Sequence, residues 1–317
     1  MFAVFFFLCI LLFIVNYLTV ALPERPRTVV IAAAYGYNFM QFKSFIAPLR
    51  QVYDGDVVMF VDDNLDKDIF EMLQGYVVQT YPLKKESRLG VKGDRYLGYY
   101  EVCGGYDVCF ATDVRDVFVQ SDPFKSLPQY MPDLIFSEEH ADHTISSRRA
   151  NRGWILSCWG DDVLRQFSEY PIICSGTIMG TPIGFKALYE TLFVAIADTS
   201  RIRGCLSRDQ GHVNYIYRMN LLNASNHNVT VLVQPRGQGI VNTVGIVNKT
   251  DIKDYFNDEG YIVNDDNTIS PVVHQLDRHP KYSKLLRSKL LRNSVLSGER
   301  LREYNHNIRV YRKYSAE

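Results

Sequence analysis

From Thr28 to Thr112 short apolar runs alternate with stretches of helical spacing, and this alternation constrains the fold more than any other feature. Thr28-Val-Val-Ile-Ala-Ala-Ala34 is apolar at every position after the first and reads as a strand buried on both faces. Phe39 to Val52 follows as a helix with Phe42, Phe45, Ile46 and Leu49 on one stripe. A second strand, Asp56-Val-Val-Met-Phe-Val61, ends in Asp62-Asp63-Asn64, and a short helix and a third strand, Tyr76 to Thr80, come next. A helix from about Lys92 to Cys103, with Tyr96, Leu97 and Tyr100 packing inward, leads into the apolar run Tyr106 to Ala111. Such alternation predicts an α/β architecture: a mixed, mostly parallel central sheet flanked by helices, with the first strand near its middle.

The fourth run stops at two carboxylates, Asp113 and Asp116, and Asp122-Pro123 closes the segment with turn chemistry. Open α/β sheets bind ligands at the carboxyl ends of their strands, and oxygen donors there suit a hard divalent cation carrying phosphates. The same aspartates also serve a loop that caps helices and satisfies turns. In an extended segment residues three apart do not share a face, so chelation by both acids requires a turn at Val114-Arg115.

Further along, Pro132 to Glu139 reads as a strand ending in paired acids, and His140 to Gly153 as a polar loop. Trp154 and Trp159 suit either a sugar platform or core packing. Ile172 to Thr181 is an apolar segment interrupted by Ser175-Gly176, where a glycine permits close approach of backbone and ligand, and a helix from Ile183 to Ala197 follows it. Arg208-Asp-Gln-Gly-His212 opens a helix, and Ser270 to Asp277 holds a brief strand ending on His274. An Asp and His mixture suits Mn²⁺, although a lone histidine at a strand end is also a common structural hydrogen-bonder.

Lys and Arg number 35 and Asp and Glu 35, so no global field points to nucleic acid. Residues 1–22 carry no charged side chain and, at about 1.5 Å per residue, cross a bilayer core of about 30 Å. They read as a transmembrane signal-anchor or as a cleaved signal peptide ending near Thr19-Val-Ala21. Residues 23–27 are then expected to form a short stem, 28–285 the folded body and 286–317 a basic extension. Arg25 and Arg27 after the span do not favour a lumenal body, whereas sequons at Asn223, Asn228 and Asn248 do, so a single-pass protein with its body in the Golgi or ER lumen is expected. Outside Cys9 five cysteines remain, which leaves at least one thiol unpaired within the chain; a Cys158 to Cys205 bridge and buried free thiols are both open.

These segments, taken in order over roughly residues 28 to 282, resemble the GT-A glycosyltransferases, a Rossmann-like fold, and more closely the family 8 type that includes glycogenin and galactinol synthase. The central stretch looks like that family's strand ending in Asp-x-Asp, Cys174-Ser-Gly-Thr177 like its Asn-Ser-Gly segment, Arg208-Asp-Gln210 like its Asp-Gln-Asp helix start, and Val273-His274 like the strand that supplies a histidine ligand. The resemblance implies a retaining transferase (EC 2.4 class) that moves a sugar from a nucleotide-sugar, a UDP-sugar with Mn²⁺ or Mg²⁺, to a glycan, glycoprotein or glycolipid hydroxyl. It implies Asp113, Asp116 and His274 as metal ligands and Asp209 as the acid facing the donor sugar; Arg95, which its helix either brings to a diphosphate held by the cation or leaves on a solvated face, is the second candidate catalytic group. Ala33, Tyr35, Arg95, Arg115, Ser175, Gly176 and Gln210 are then the donor-binding positions. Here the acids are three apart rather than two, and Cys174 stands in place of the family's Asn. A nucleotidyltransferase and a catalytically silent binding protein on the same fold are the rival readings; no Gly-rich phosphate loop supports the former.

Overall fold

The computed structural model describes residues 25–83, 90–125, 127–140, 142–205, 208–224 and 228–314. The expected anchor, residues 1–22, lies outside them, as does the cationic stretch 84–88. No helix among the described residues is long and apolar enough to cross a membrane.

Ten strands are described: β1 Thr28–Ala34, β2 Asp56–Val61, β3 Gln79–Pro82, β4 Val108–Thr112, β5 Val117–Val119, β6 Leu134–Glu138, β7 Ile173–Gly180, β8 Val231–Gln234, β9 Val241–Thr243 and β10 Val272–His274. Seven form the main sheet in the order β3-β2-β1-β4-β7-β6-β8. β7 runs antiparallel to both of its neighbours, and every other pair in this sheet is parallel. The expected mixed, mostly parallel sheet is therefore what the chain forms, with β1 beside the central β4.

Period-two alternation along β1 explains its double burial. Val30, Ala32 and Ala34 face one core with Phe42, Phe45 and Leu49 of the helix Phe39–Val52. Val29 and Ile31 face a second core with Tyr96 and Tyr99 of the helix Gly90–Cys103 and Phe185 and Leu188 of the helix Pro182–Thr199. Each large apolar side chain buried this way contributes about 1.5–3 kcal/mol. The Phe39–Val52 helix starts where expected because Asn38 and Gln41 form a capping box, with Asn38 Oδ1 accepting from the Gln41 amide and Gln41 Oε1 from the Asn38 amide.

Four local readings shift. The third strand begins at Gln79 rather than Tyr76, because Tyr76 caps the preceding helix Lys67–Gly75 and Val77 turns through φ 55°. In Gly90–Cys103 the buried tyrosines are Tyr96 and Tyr99, while Leu97 and Tyr100 are only half-buried. The polar insert is not all loop, since the helix Arg149–Trp159 starts inside it. Trp159 is a packing residue, stacked on Tyr215 at 4.2 Å.

The order reverses at β1: β2 and β3 are added on one side, β4 on the other. A crevice must open at the carboxyl ends of β1 and β4, where the connections diverge. A second, small sheet, β5-β10-β9, sits beyond β4; β10 pairs antiparallel with β5 and parallel with β9.

Candidate metal and active site

Every residue of β4 is buried, and the chain leaves the sheet at Asp113, whose amide donates to the Gly176 carbonyl of β7 at 2.7 Å. Val114 is buried and Arg115 exposed, and the chain turns before entering β5 at Val117. That turn at Val114-Arg115 is the one that chelation by acids three apart requires, and it brings Asp113 and Asp116 to the same side. The Gln275 amide donates to the Asp116 carbonyl at 2.8 Å and His274 lies opposite Val117 in the ladder, so β10 is fixed in register beside the acids.

Asp113, Asp116 and His274 consequently each present a ligand atom within 4.8 Å of the others. His274 Nε2 lies 3.8 Å from Asp113 Oδ2 and 3.8 Å from Asp116 Oδ1. Those separations are too long for hydrogen bonds. Oxygen donors about 2.1 Å from one small divalent ion lie roughly 3–4 Å apart, the spacing seen here. Nε2 is buried and has no hydrogen-bond partner, while Nδ1 is 3.2 Å from the Cys174 sulfur. The thiol thus orients the ring and leaves Nε2 for an electrophile, as outer partners of metal-bound histidines do. Two carboxylates suit Mn²⁺ or Mg²⁺ in kind, and the imidazole favours Mn²⁺ of the two. Burial opposes protonation of His274, but the Cys174 sulfur and the two carboxylates outweigh it and raise its pKa to about 10. Burial likewise raises the Asp116 carboxyl above its ordinary value, against the pull of His274. A cation must therefore displace a proton to bind.

Arg95 lies on the inward face of its helix beside Tyr96 and Tyr99, and is only 9% exposed. Its Nη1 donates to Asp113 Oδ1 at 2.6 Å, and its Nη2 donates to Asp209 Oδ2 at 2.7 Å and to the Ser175 carbonyl at 3.2 Å. Burial works against the guanidinium, yet the surrounding tyrosines and the two aspartates raise its pKa, so it stays charged. One cation thereby ties the β4 acid to Asp209, at the start of the helix Asp209–Arg218. Gln210 points elsewhere: its amide donates to Glu139 Oε1 at 3.1 Å and to Asn151 Oδ1 at 3.0 Å.

Ala33 and Tyr35 stand half-buried at the carboxyl end of β1, and the Tyr35 hydroxyl is buried without a partner. The turn after them is held by Asp62, which accepts from the Gly36 amide at 2.6 Å, so Asp62 braces this loop. Gly176 packs so closely on Asp113 and His274 that a Cβ there would overlap Asp113 Oδ2 and lie 2.8 Å from His274 Cε1. Sequence reasoning placed Cys174 only as a departure from a motif and passed over Glu139 and Asn151 as partners of Gln210. The odd cysteine count was the one signal for Cys174; Asn151 carries none.

No protein-family model matches the chain, and no curated protein matches it. Among solved structures the chain is similar to the glycosyltransferase GlyE of Streptococcus pneumoniae TIGR4, at 11% identity and a TM-score of 0.47, and to the apo form of that protein, at 11% identity and a TM-score of 0.49. Each alignment covers 92% of this chain and 64% of the other, so the chain spans less than two thirds of those proteins' length. The likeness is one of chain path alone, and the site residues stand on their own geometry.

Proposed function

We propose that the chain is a metal-dependent glycosyltransferase of GT-A type that moves a sugar from a nucleotide-sugar, a UDP-sugar, to an acceptor hydroxyl with retention. The observation that carries this is the Asp113, Asp116 and His274 cluster, with its unpartnered buried Nε2, at the point where the strand order reverses. Mn²⁺ held there would neutralise charge on a diphosphate leaving group. The chain's own residues supply the rest. Arg95 fixes Asp113 and Asp209 at set positions, so that both carboxylates are oriented before substrate arrives. Arg115, exposed on the turn, is free to reach phosphate oxygens. The missing side chain at Gly176 lets Asp113 and His274 close against the backbone of β7, and Ala33 and Tyr35 line the base end of the crevice.

The test is a thermal-shift screen of nucleoside diphosphates and UDP-sugars with and without Mn²⁺. A ligand at 100 times its dissociation constant stabilises by about 2.7 kcal/mol, and the shift should require both Mn²⁺ and the uridine nucleotide. Loss of the shift in Asp113→Asn and a weakened Mn²⁺ response in His274→Ala are expected. A shift without hydrolysis or transfer would favour a silent binding protein, and product of inverted anomeric configuration by NMR would break the family 8 assignment. We also propose a lumenal setting, supported by two disulfides, which persist in oxidising compartments, and by the exposure of Asn223, Asn228 and Asn248.

A further inference from the structure

Beside the cation cluster lies a cavity of about 900 Å³ whose chemistry the donor does not explain. Arg148, Arg149, Arg203, Arg208 and Arg278 line it, together with Trp154. Among the described residues the only carboxylate on its wall is Glu139, and that group already accepts from the Gln210 amide. Arginine ion pairs among the described residues belong to Arg95, Arg165 and Arg236, so the five cavity arginines have no carboxylate within ion-pair distance there. In a chain whose charges balance, such a concentration is local, and a cleft lined by one sign of charge focuses its field on an anionic ligand.

Its position tells which ligand. Gln210 and Gln275 both border the cavity, and they directly follow Asp209 and His274, so the space adjoins the reaction centre on the side away from β1 and the base end of the crevice. The diphosphate of a donor would be answered by a cation held at Asp113, Asp116 and His274 and by Arg115. The cavity is left for the second substrate. Two of its wall segments, the helix Arg149–Trp159 and the loop carrying Arg203, are pinned to one another by the Cys158–Cys205 disulfide. Trp154 offers an indole against which sugar C–H faces pack, with the Arg208 guanidinium 5.7 Å from its ring centroid.

We propose, resting on the glycosyl-transfer reading above, that the acceptor is an acidic saccharide whose sulfate, phosphate or carboxylate groups are held by the arginines of this cavity. Planar guanidinium forks bind all three anions, so the shared chemistry is the oxyanion.

The experiment titrates the full chain by calorimetry with hexasaccharides of heparin, hyaluronan and maltose, and with hexaglutamate, at low and at physiological salt. Heparin or hyaluronan hexasaccharide should bind at least about tenfold more tightly than maltohexaose, a preference that weakens as salt screens it. Heparin carries sulfate as well as carboxylate and hyaluronan carboxylate alone, so tighter heparin binding at matched charge assigns the added contribution to sulfate. Arg149→Glu with Arg203→Glu, both on the exposed wall, should remove the preference, and Arg203→Lys should keep most of it. Equal binding of acidic and neutral hexasaccharides, or a preference that survives the double reversal, overturns the proposal. So does hexaglutamate binding as well as the acidic saccharides, which would make the partner a peptide. The Mn²⁺ and UDP thermal shift of the same wild-type preparation keeps the two failures apart. A shift with no saccharide preference sinks the acceptor assignment alone. Saccharide binding with no nucleotide shift sinks it through the donor half.

Discussion

Gly176 accommodates a hydrogen and nothing larger, because Asp113 and His274 occupy the space where a methyl group would go. Gly176→Ala should weaken Mn²⁺ binding and destabilise the fold by about 1–3 kcal/mol, the range for overpacked sites, as read from the metal titration and from the urea midpoint. Unchanged metal affinity would separate β7 from the cluster. A different residue sets an acid limit. His212 is fully buried against Trp159, with Nδ1–H donating to the Arg208 carbonyl at 2.9 Å and Nε2 accepting from the Thr199 hydroxyl at 2.8 Å. Burial lowers its pKa, opposed by the Arg208 bond. The folded chain therefore keeps the ring neutral while the unfolded chain takes up a proton near its free value of about 6.5. Its stabilising effect is complete above that pH and declines as pH falls from there towards the lowered folded value. Urea unfolding between pH 7.5 and 5 should show this loss, and His212→Gln should flatten it; an equal slope in the variant would assign the acid sensitivity elsewhere.

The elements that could be read from sequence are those whose pattern is local. The Phe39–Val52 helix carries its own cap and stripe, and β1, β2 and β4 are each apolar but for one terminal residue, so one window suffices to read them. The direction of β7 is different in kind: its eight residues are all buried, and nothing in such a run tells parallel from antiparallel. Asp113 and His274 could be named from strand ends, but the bond from Arg95 to Asp209 spans 114 positions and depends on how two helices meet. The disulfides divide the same way. Closing the 47-residue separation of Cys158 and Cys205 contributes about 4 kcal/mol by loop entropy, against about 2 kcal/mol for the six-residue separation of Cys103 and Cys109. Paired Cys→Ser variants compared by thermal unfolding should reproduce that order, and a larger loss from the short loop would assign the effect to core packing around Cys103.

At the scale of the whole molecule the cation cluster sits on a seam, with Asp113 at the end of the main sheet and Asp116 and His274 on the small one. A bound cation would brace the two sheets together. Amide exchange in Val117–Val119 and Val272–His274 should slow on addition of Mn²⁺ while β1 and β2 stay unchanged, and uniform slowing would mean that the metal acts on global stability instead. The last described helix, Gly298–Tyr314, packs on the helix Lys67–Gly75, where the Tyr304 ring lies against Tyr76 at 5.0 Å over the bare backbone of Gly75. This wiring bears on biosynthesis. As the polypeptide leaves the ribosome, Asp113 and Asp116 appear more than 150 residues ahead of the imidazole that completes their cluster. The nascent chain thus carries two acids without their third ligand until residue 274 has emerged, and the competence to load metal waits on the strand Val272–His274 that joins β5 to β9.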